Sequence, residues 1–126
     1  MFKYVGKRNP KDDFDLSILV VKDERMAAPL TQVVRHSPTG MEWGYGGSGP
    51  ADTALSILVD FLIRENYITG ADGHVLSSAT GTERAKKMVD PVYMDFKNKH
   101  IAGLDREGFE ITDKQVENFL KGRGVI

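Results

Sequence analysis

A chain of 126 residues, 40% of them hydrophobic, has material for one core and not for two domains. Charged residues make up 28%, an ordinary share that excludes disorder as the main state. The 17 Lys and Arg against 18 Asp and Glu leave a net charge of -1, too balanced for a dedicated duplex-DNA binder. No cysteine is present, which excludes disulfides, thiolate nucleophiles and cysteine-ligated zinc. Met1-Phe2-Lys3-Tyr4 has no apolar signal core, and no run approaches the roughly 18 apolar residues of a membrane span. The expectation is a soluble, cytoplasmic protein without a membrane partner.

Phe2 to Val5 alternates before Gly6, and Asp13 to Ile18 alternates in period two before running on through Leu19, Val20 and Val21. Lys7 to Asp12, with Asn9-Pro10, is a turn. Leu30 to Arg35, with β-branched Thr31, Val33 and Val34, predicts a third strand, so an antiparallel meander. Pro50 suits a first helical turn, and Ser48 or Gly49 serves as its cap. Asp52 is expected in that first turn, where the dipole favours an anion. Ala51, Ala54, Leu55, Leu58, Phe61 and Leu62 recur at helical spacing through about residue 65, and Ile57, Val59 and Ile63 widen the apolar face.

Residues 66–82, rich in Gly, Asn, Asp and Ser, read as a loop with at most a short hairpin at His74-Val75-Leu76. Thr82 or Asp90 would cap a second helical region, with Pro91 either starting that helix or kinking one begun at Glu83. Its stripe is Val92, Tyr93, Phe96, His100, Ile101 and Leu104, with Lys97 and Lys99 off the stripe and solvated. Phe109 to Ile111 is a last short strand. Thr112-Asp113-Lys114-Gln115 is a capping box before a helix that stops at Gly122. The predicted class is α+β: a small antiparallel sheet of three or four strands packed with about three helices in one domain spanning residues 1–126.

Four of the 13 glycines fall within Gly44, Gly46, Gly47 and Gly49. Such a loop is entropically costly to order, so it serves a tight backbone path or a close approach by another group. Glycines 44, 46 and 49 fit G-x-G-x-x-G, but no apolar strand precedes them and no parallel βαβ unit follows, which rejects a Rossmann site. No Gly-Lys-Ser/Thr follows, so the loop is no P-loop. Pro50 stands where a nucleophile elbow requires glycine.

What survives is physical. A glycine loop opening a helix presents free N–H groups and positive dipole to a phosphate or carboxylate. The alternative use of the glycines is a turn that packs Trp43 and Tyr45.

A helix terminus contributes about 0.3–2 kcal/mol to an anion, whereas micromolar binding needs about 8 kcal/mol. Aromatic stacking adds about 1–3 kcal/mol per base, and a charge-assisted hydrogen bond about 1.5–3 kcal/mol. The candidate ligand site is therefore Gly44, Gly46, Gly47, Ser48 and Gly49 for the phosphate, and Trp43 or Tyr45 for the base. Arg35, His36 or Lys97 would supply charge, with the Arg84-Lys86-Lys87 cluster as second choice. The expected partner is a nucleotide-like small molecule, bound without a cofactor.

Two other readings stay open. Exposed Trp43 and Tyr45 would equally anchor a protein–protein interface. His36 as a general base or Ser48 as a nucleophile would need an orienting group, a role open to Glu42 or Asp52 although no spacing demands it, and a small hydrolase of phosphodiester or ADP-ribose-type substrates would use His36 and Glu42. His36, His74 and His100 lie 38 and 26 residues apart, which gives no metal-binding pattern. Homo-oligomerisation is a common way for so small a domain to complete a pocket.

Ser37-Pro38-Thr39-Gly40 followed by Glu42-Trp43-Gly44-Tyr45-Gly46-Gly47-Ser48-Gly49-Pro50-Ala51 resembles the signature S-P-T-G-F-E-W-G-Y-G-G-S-G-P-A of an uncharacterised domain-of-unknown-function family of small bacterial and phage proteins. Tyr93, Phe96, Lys97 and Ile101 are similar to that family's second helix, and the closing strand and helix also fit. Met41 replaces the family's usual phenylalanine, and the 66–90 connection is longer. The resemblance transfers no catalytic residue. It implies a bacterial or phage cytoplasm, where, by analogy, small phage proteins with anion-ready loops sequester the nucleotide signals of bacterial defence.

Overall fold

A computed structural model describes residues 1–23, 25–69 and 78–126. Its strands are β1 (Lys3–Asn9), β2 (Asp12–Asp23), β3 (Met26–Pro29) and β4 (Gly108–Thr112). Its helices are α1 (Ser48–Arg64), α2 (Ser78–Val89), α3 (Tyr93–Phe96, running into a π-helical turn at Lys97–Ile101) and α4 (Asp113–Gly122). The sheet order is β3-β2-β1-β4, antiparallel throughout. The architecture is α+β: a four-stranded antiparallel sheet with four helices, among the described residues, in one small domain.

Register sorts the side chains. Tyr4 faces Val20 and Ile111, Gly6 faces Ile18 and Phe109, and Arg8 faces Leu16, so these share the face that meets the helices. The opposite face carries Lys3, Lys7, Ser17 and Glu110. A β carbon at Gly6 would fall 2.1 Å from the Phe109 ring, so glycine at this position makes room for that ring across the strand pair. α1 is buried along nearly its whole length because its apolar residues encircle it. Tyr4 reaches it through a 2.8 Å hydrogen bond to Asp60, and burial pushes the phenol's pKa up. α4 docks Val116, Phe119 and Leu120, with Phe119 edge-on to Phe96 at 5.0 Å.

Several sequence expectations need correction. The third strand is Met26–Pro29, not residues 30–35. Asp23 accepts the N–H groups of Arg25 at 2.8 Å and Met26 at 3.0 Å, so the chain reverses at once, and Pro29 ends the strand. Residues 30–35 run as irregular chain because α1 side chains take their backbone donors: Val33 N–H bonds Ser56 Oγ at 2.8 Å, and Arg35 N–H bonds Asp52.

The expected loop over 66–82 is helical from Ser78, and Thr82 lies inside α2 rather than at its cap. The suggested hairpin at residues 74–76 falls outside the described residues. α2 ends before Asp90 and Pro91, and the next helix starts afresh at Tyr93. The capping box at Thr112 forms as expected, with Gln115 N–H to Thr112 Oγ1 at 3.2 Å and Thr112 N–H to Gln115 Oε1 at 2.9 Å.

Candidate functional site

The Ser37–Pro50 segment crosses from the sheet edge to the start of α1. Ser37 Oγ donates to Gly40 O at 2.7 Å and Gly40 N–H returns to Ser37 O at 3.3 Å, a turn completed by Gly40 at φ +126°. Glu42 then enters an ion pair with Arg8, whose side chain is 2% exposed. The Arg8 guanidinium forks onto both Glu42 oxygens, and also donates to Asp13 O and, at 2.8 Å, to Arg106 O. Burial works to raise the Glu42 pKa. The Arg8 hydrogen bonds, the Trp43 N–H and the Arg8 charge outweigh it and hold the carboxyl below its ordinary range.

Trp43 lies under this pair with no exposed surface. Arg8 stacks 4.7 Å from its ring centroid, Phe109 meets it edge-on at 5.0 Å, and its indole N–H donates to Asp105 O at 3.0 Å. Sequence reasoning offered Trp43 as a stacking platform, but an indole so enclosed presents no face to a ligand. Tyr45, 44% exposed, keeps that role open.

Three of the four glycines have steric reasons. Gly44 adopts φ +87°, donates to Ile101 O at 3.0 Å, and leaves no room for a β carbon against Arg106 Cγ at 2.8 Å. A β carbon at Gly47 would strike the Tyr45 ring at 2.7 Å, and one at Gly49 the Glu42 side chain at 2.7 Å. Gly46 has open space around it. The loop thus packs as well as presents.

Gly47 caps α1 without a side-chain hydrogen bond. The Gly47 carbonyl takes the Ala51 N–H at 3.0 Å, while the N–H groups of Gly46, Gly47 and Ser48 have no partner among the described residues.

Arg35 and His36 serve elsewhere. Asp52, fully buried in the second turn of α1 rather than the first, accepts N–H bonds from Arg35 (3.2 Å), His36 (3.0 Å) and Ser37 (2.9 Å), and one from Gln32 Nε2 (3.2 Å). Three successive backbone donors converging on one anion form a nest, and the chain's own carboxylate fills it. The Arg35 guanidinium pairs with Asp90 and lies 5.3 Å over the Tyr93 ring; His36 Nε2 is 2.6 Å from Tyr93 Oη. Their side chains are thus engaged at the α2–α3 junction.

Lys97, expected to be solvated, is 9% exposed. Its ammonium bonds no protein group among the described residues, yet no buried side-chain nitrogen is left unbonded there, so the stem is buried and the charged tip reaches water. Lys97 lies midway between Tyr93, which meets His36, and Ile101, which meets Gly44.

Beside the loop, between the outer edge of β2 and residues 37–45, runs a cleft of about 850 Å³. Leu16, Ile18, Leu30, Met41, Glu42 and Tyr45 are among its lining residues, and Glu42 is the one charged residue among the lining residues described. Such a volume suits a small ligand or a few residues of peptide, whose clefts span about 300–1,000 Å³.

A family model described as a family of unknown function (DUF6166) matches residues 4–79. The chain belongs to that family. The part of this DUF6166 chain that matches runs from β1 to the beginning of α2, and includes the cleft, the Arg8–Glu42 pair and the glycine loop. Lys97, Asp105 and Phe109 lie beyond it. No curated protein and no solved structure matches.

Among the described residues no group of three or more His, Asp or Glu is arranged to hold a metal. No described helix is long and apolar enough to cross a membrane.

Sequence reasoning missed Arg8, whose inward parity with Tyr4 and Gly6 was readable from the alternation of β1. It also missed Arg106 beside Gly44, for which no local signal exists.

Proposed function

We propose that this DUF6166 protein is a non-enzymatic binding module for a phosphate-bearing, nucleotide-like small molecule. The phosphate would sit at the N-terminus of α1 and the base against Tyr45. One observation carries the reading: the unbonded N–H groups of Gly46, Gly47 and Ser48 open a helix that no side chain caps, directly beside an exposed aromatic ring.

Lys97 is the side chain from the original set best able to add charge, since Arg35 and His36 are tied to Asp90 and Tyr93. With Trp43 enclosed, the upper ends of dipole, one stacked base and one charged hydrogen bond reach about 8 kcal/mol, so micromolar or weaker binding is expected. In a bacterium or phage such a module would act by sequestering a nucleotide signal.

The hydrolase reading is weakened. Glu42, held ionised by Arg8, is a poor proton acceptor, and His36 already meets Tyr93. The interface reading that used Trp43 loses its main anchor.

Thermal unfolding against nucleotides, cyclic oligonucleotides and ADP-ribose derivatives tests the proposal. A ligand at a hundredfold excess over its Kd adds about 2.7 kcal/mol of stability, a shift of several degrees. Ser48→Glu is the informative variant. Its carboxylate should stabilise α1 by about 0.3–1 kcal/mol while abolishing the ligand shift by occupying the same donors. A ligand shift that survives Ser48→Glu and Tyr45→Ser would place binding elsewhere and reject this reading.

A further inference from the structure

β2 runs for 12 residues, but its outer neighbour β3 has only 4, and their pairing stops at Leu19 opposite Pro29. One more bond, Leu30 N–H to Ile18 O at 2.9 Å, closes that end. It also fixes which way the main chain points. The Ile18 carbonyl faces away from β1, and alternation makes the backbone groups of Leu16 do the same. Pairing with β1 is regular from Lys3 opposite Val21 to Arg8 opposite Leu16, so no bulge reverses that sense.

Leu16 N–H, Leu16 C=O and Ile18 N–H therefore point outward, and none has a hydrogen-bond partner among the described residues. The cleft of about 850 Å³ lies along this bare edge, with Ser37 to Glu42 as its far wall.

The occupant must satisfy two features at once: an apolar wall and a row of main-chain donors and acceptors. A compact ligand covers the first and leaves the second unbonded, although Ile18 is itself buried. An extended peptide does both, because its own N–H and C=O groups continue the ladder while alternate side chains reach Leu16, Leu30 and Met41.

Charge narrows the choice. Glu42 is the one charged residue lining the cleft among those described, and at that end Glu42, Asp13 and Glu107 all act on Arg8. Arg8 itself, paired with Glu42, and Arg106 together offset two of these three carboxylates. Asp12 and Asp15 on the same hairpin are exposed beside a single cation, Lys11, and next to Phe14 at 93% exposure. The end near Phe14 keeps a negative excess.

We infer that the outer edge of β2 is a strand-addition site for an extended peptide segment with apolar residues at alternate positions and a basic residue toward the Phe14 end. This goes beyond the nucleotide reading, since it uses the main-chain atoms of β2 rather than those at the start of α1, although the two sites share Tyr45 at one end of the cleft.

Amide hydrogen exchange of the full chain, read residue by residue, tests it with two hexapeptide pools that alternate Val or Ile with Thr. One pool carries Lys at a terminal position and the other Glu. The Lys pool should slow exchange at Leu16 and Ile18 by about tenfold or more, less so at high salt. Thr39→Trp, at an exposed position lining the cleft, should abolish that protection without lowering Tm, and Ser48→Glu should leave it intact.

Failure of both pools to protect these two amides overturns the inference, as does equal or stronger protection by the Glu pool. Protection that grows with protein concentration and needs no peptide would assign the edge to a second copy and also overturn it. Protection of the same amides by a nucleotide would do so as well, giving the cleft to a small ligand.

Discussion

Arg8 joins several elements through the molecule's polar interior. It ties β1 to the start of β2 through Asp13 O, to the signature loop through Glu42, and to the approach of β4 through Arg106 O, while covering the Trp43 ring. Its hydrogen bonds to Glu42, against the opposing cost of burial, raise its already high pKa, so it remains charged at all working pH values. A buried pair of this kind is fragile when halved. Arg8→Leu should cost about 3–5 kcal/mol because Glu42 is left without its counter-charge, whereas Arg8→Leu combined with Glu42→Gln should recover a large part of that loss. Urea unfolding of the two variants checks this. Equal losses in the single and double variants would mean that the guanidinium acts through its carbonyl and Trp43 contacts alone.

At the level of elements, α1 organises everything around it. Its apolar residues meet the sheet and the other helices, and its buried polar residues Asp52, Thr53 and Ser56 hold the chain from Gln32 to Glu42. Thr53 Oγ donates to Glu42 O at 2.6 Å and accepts Glu42 N–H at 3.1 Å, which fixes the height at which the cleft wall stands.

The sheet has its own tight point where β1 and β4 pair. With the Phe109 ring lying where a β carbon of residue 6 would be, Gly6→Ala should destabilise the fold by about 1–3 kcal/mol, through overpacking. Adding Phe109→Leu should relieve part of this in thermal unfolding, since a shorter side chain frees the space. An additive double variant would show that the strand backbone, not the ring, sets the cost.

Across the whole molecule, the family-matched stretch does not close its own core. Trp43 lies within residues 4–79, but Asp105, which accepts its indole N–H, and Phe109, which packs on its edge, lie outside. Gly44 likewise leans on Ile101 O. A fragment of residues 1–79 should therefore leave the indole in water. Trp43 is the sole tryptophan, so fluorescence reports on it directly. The full chain should emit in the blue range of a buried indole and the fragment in the red range of a solvated one. Blue emission from the fragment would mean that the family-matched stretch folds without α3, β4 and α4.

Composition, alternation and punctuation were enough to read the α+β class, β1, β2, β4, the central α1 and the Thr112 capping box, because each rests on local periodicity or on bonds between near neighbours. The glycine loop, too, was visible as a tight backbone path at a helix start. Tertiary structure decided the rest. Residues 30–35 have strand-forming side chains but lose their backbone donors to Asp52 and Ser56, partners 17 to 23 positions away that no window reveals.

Trp43 beside Tyr45 looks like one exposed aromatic pair, and only the arrival of Arg8, Asp105 and Phe109 separates a core residue from a surface one. Arg35 and His36, neighbours of the loop in sequence, are turned to Asp90 and Tyr93 in space. The bare edge of β2 has no sequence signature, because it is the difference in length between two strands, and that exists only once they pair.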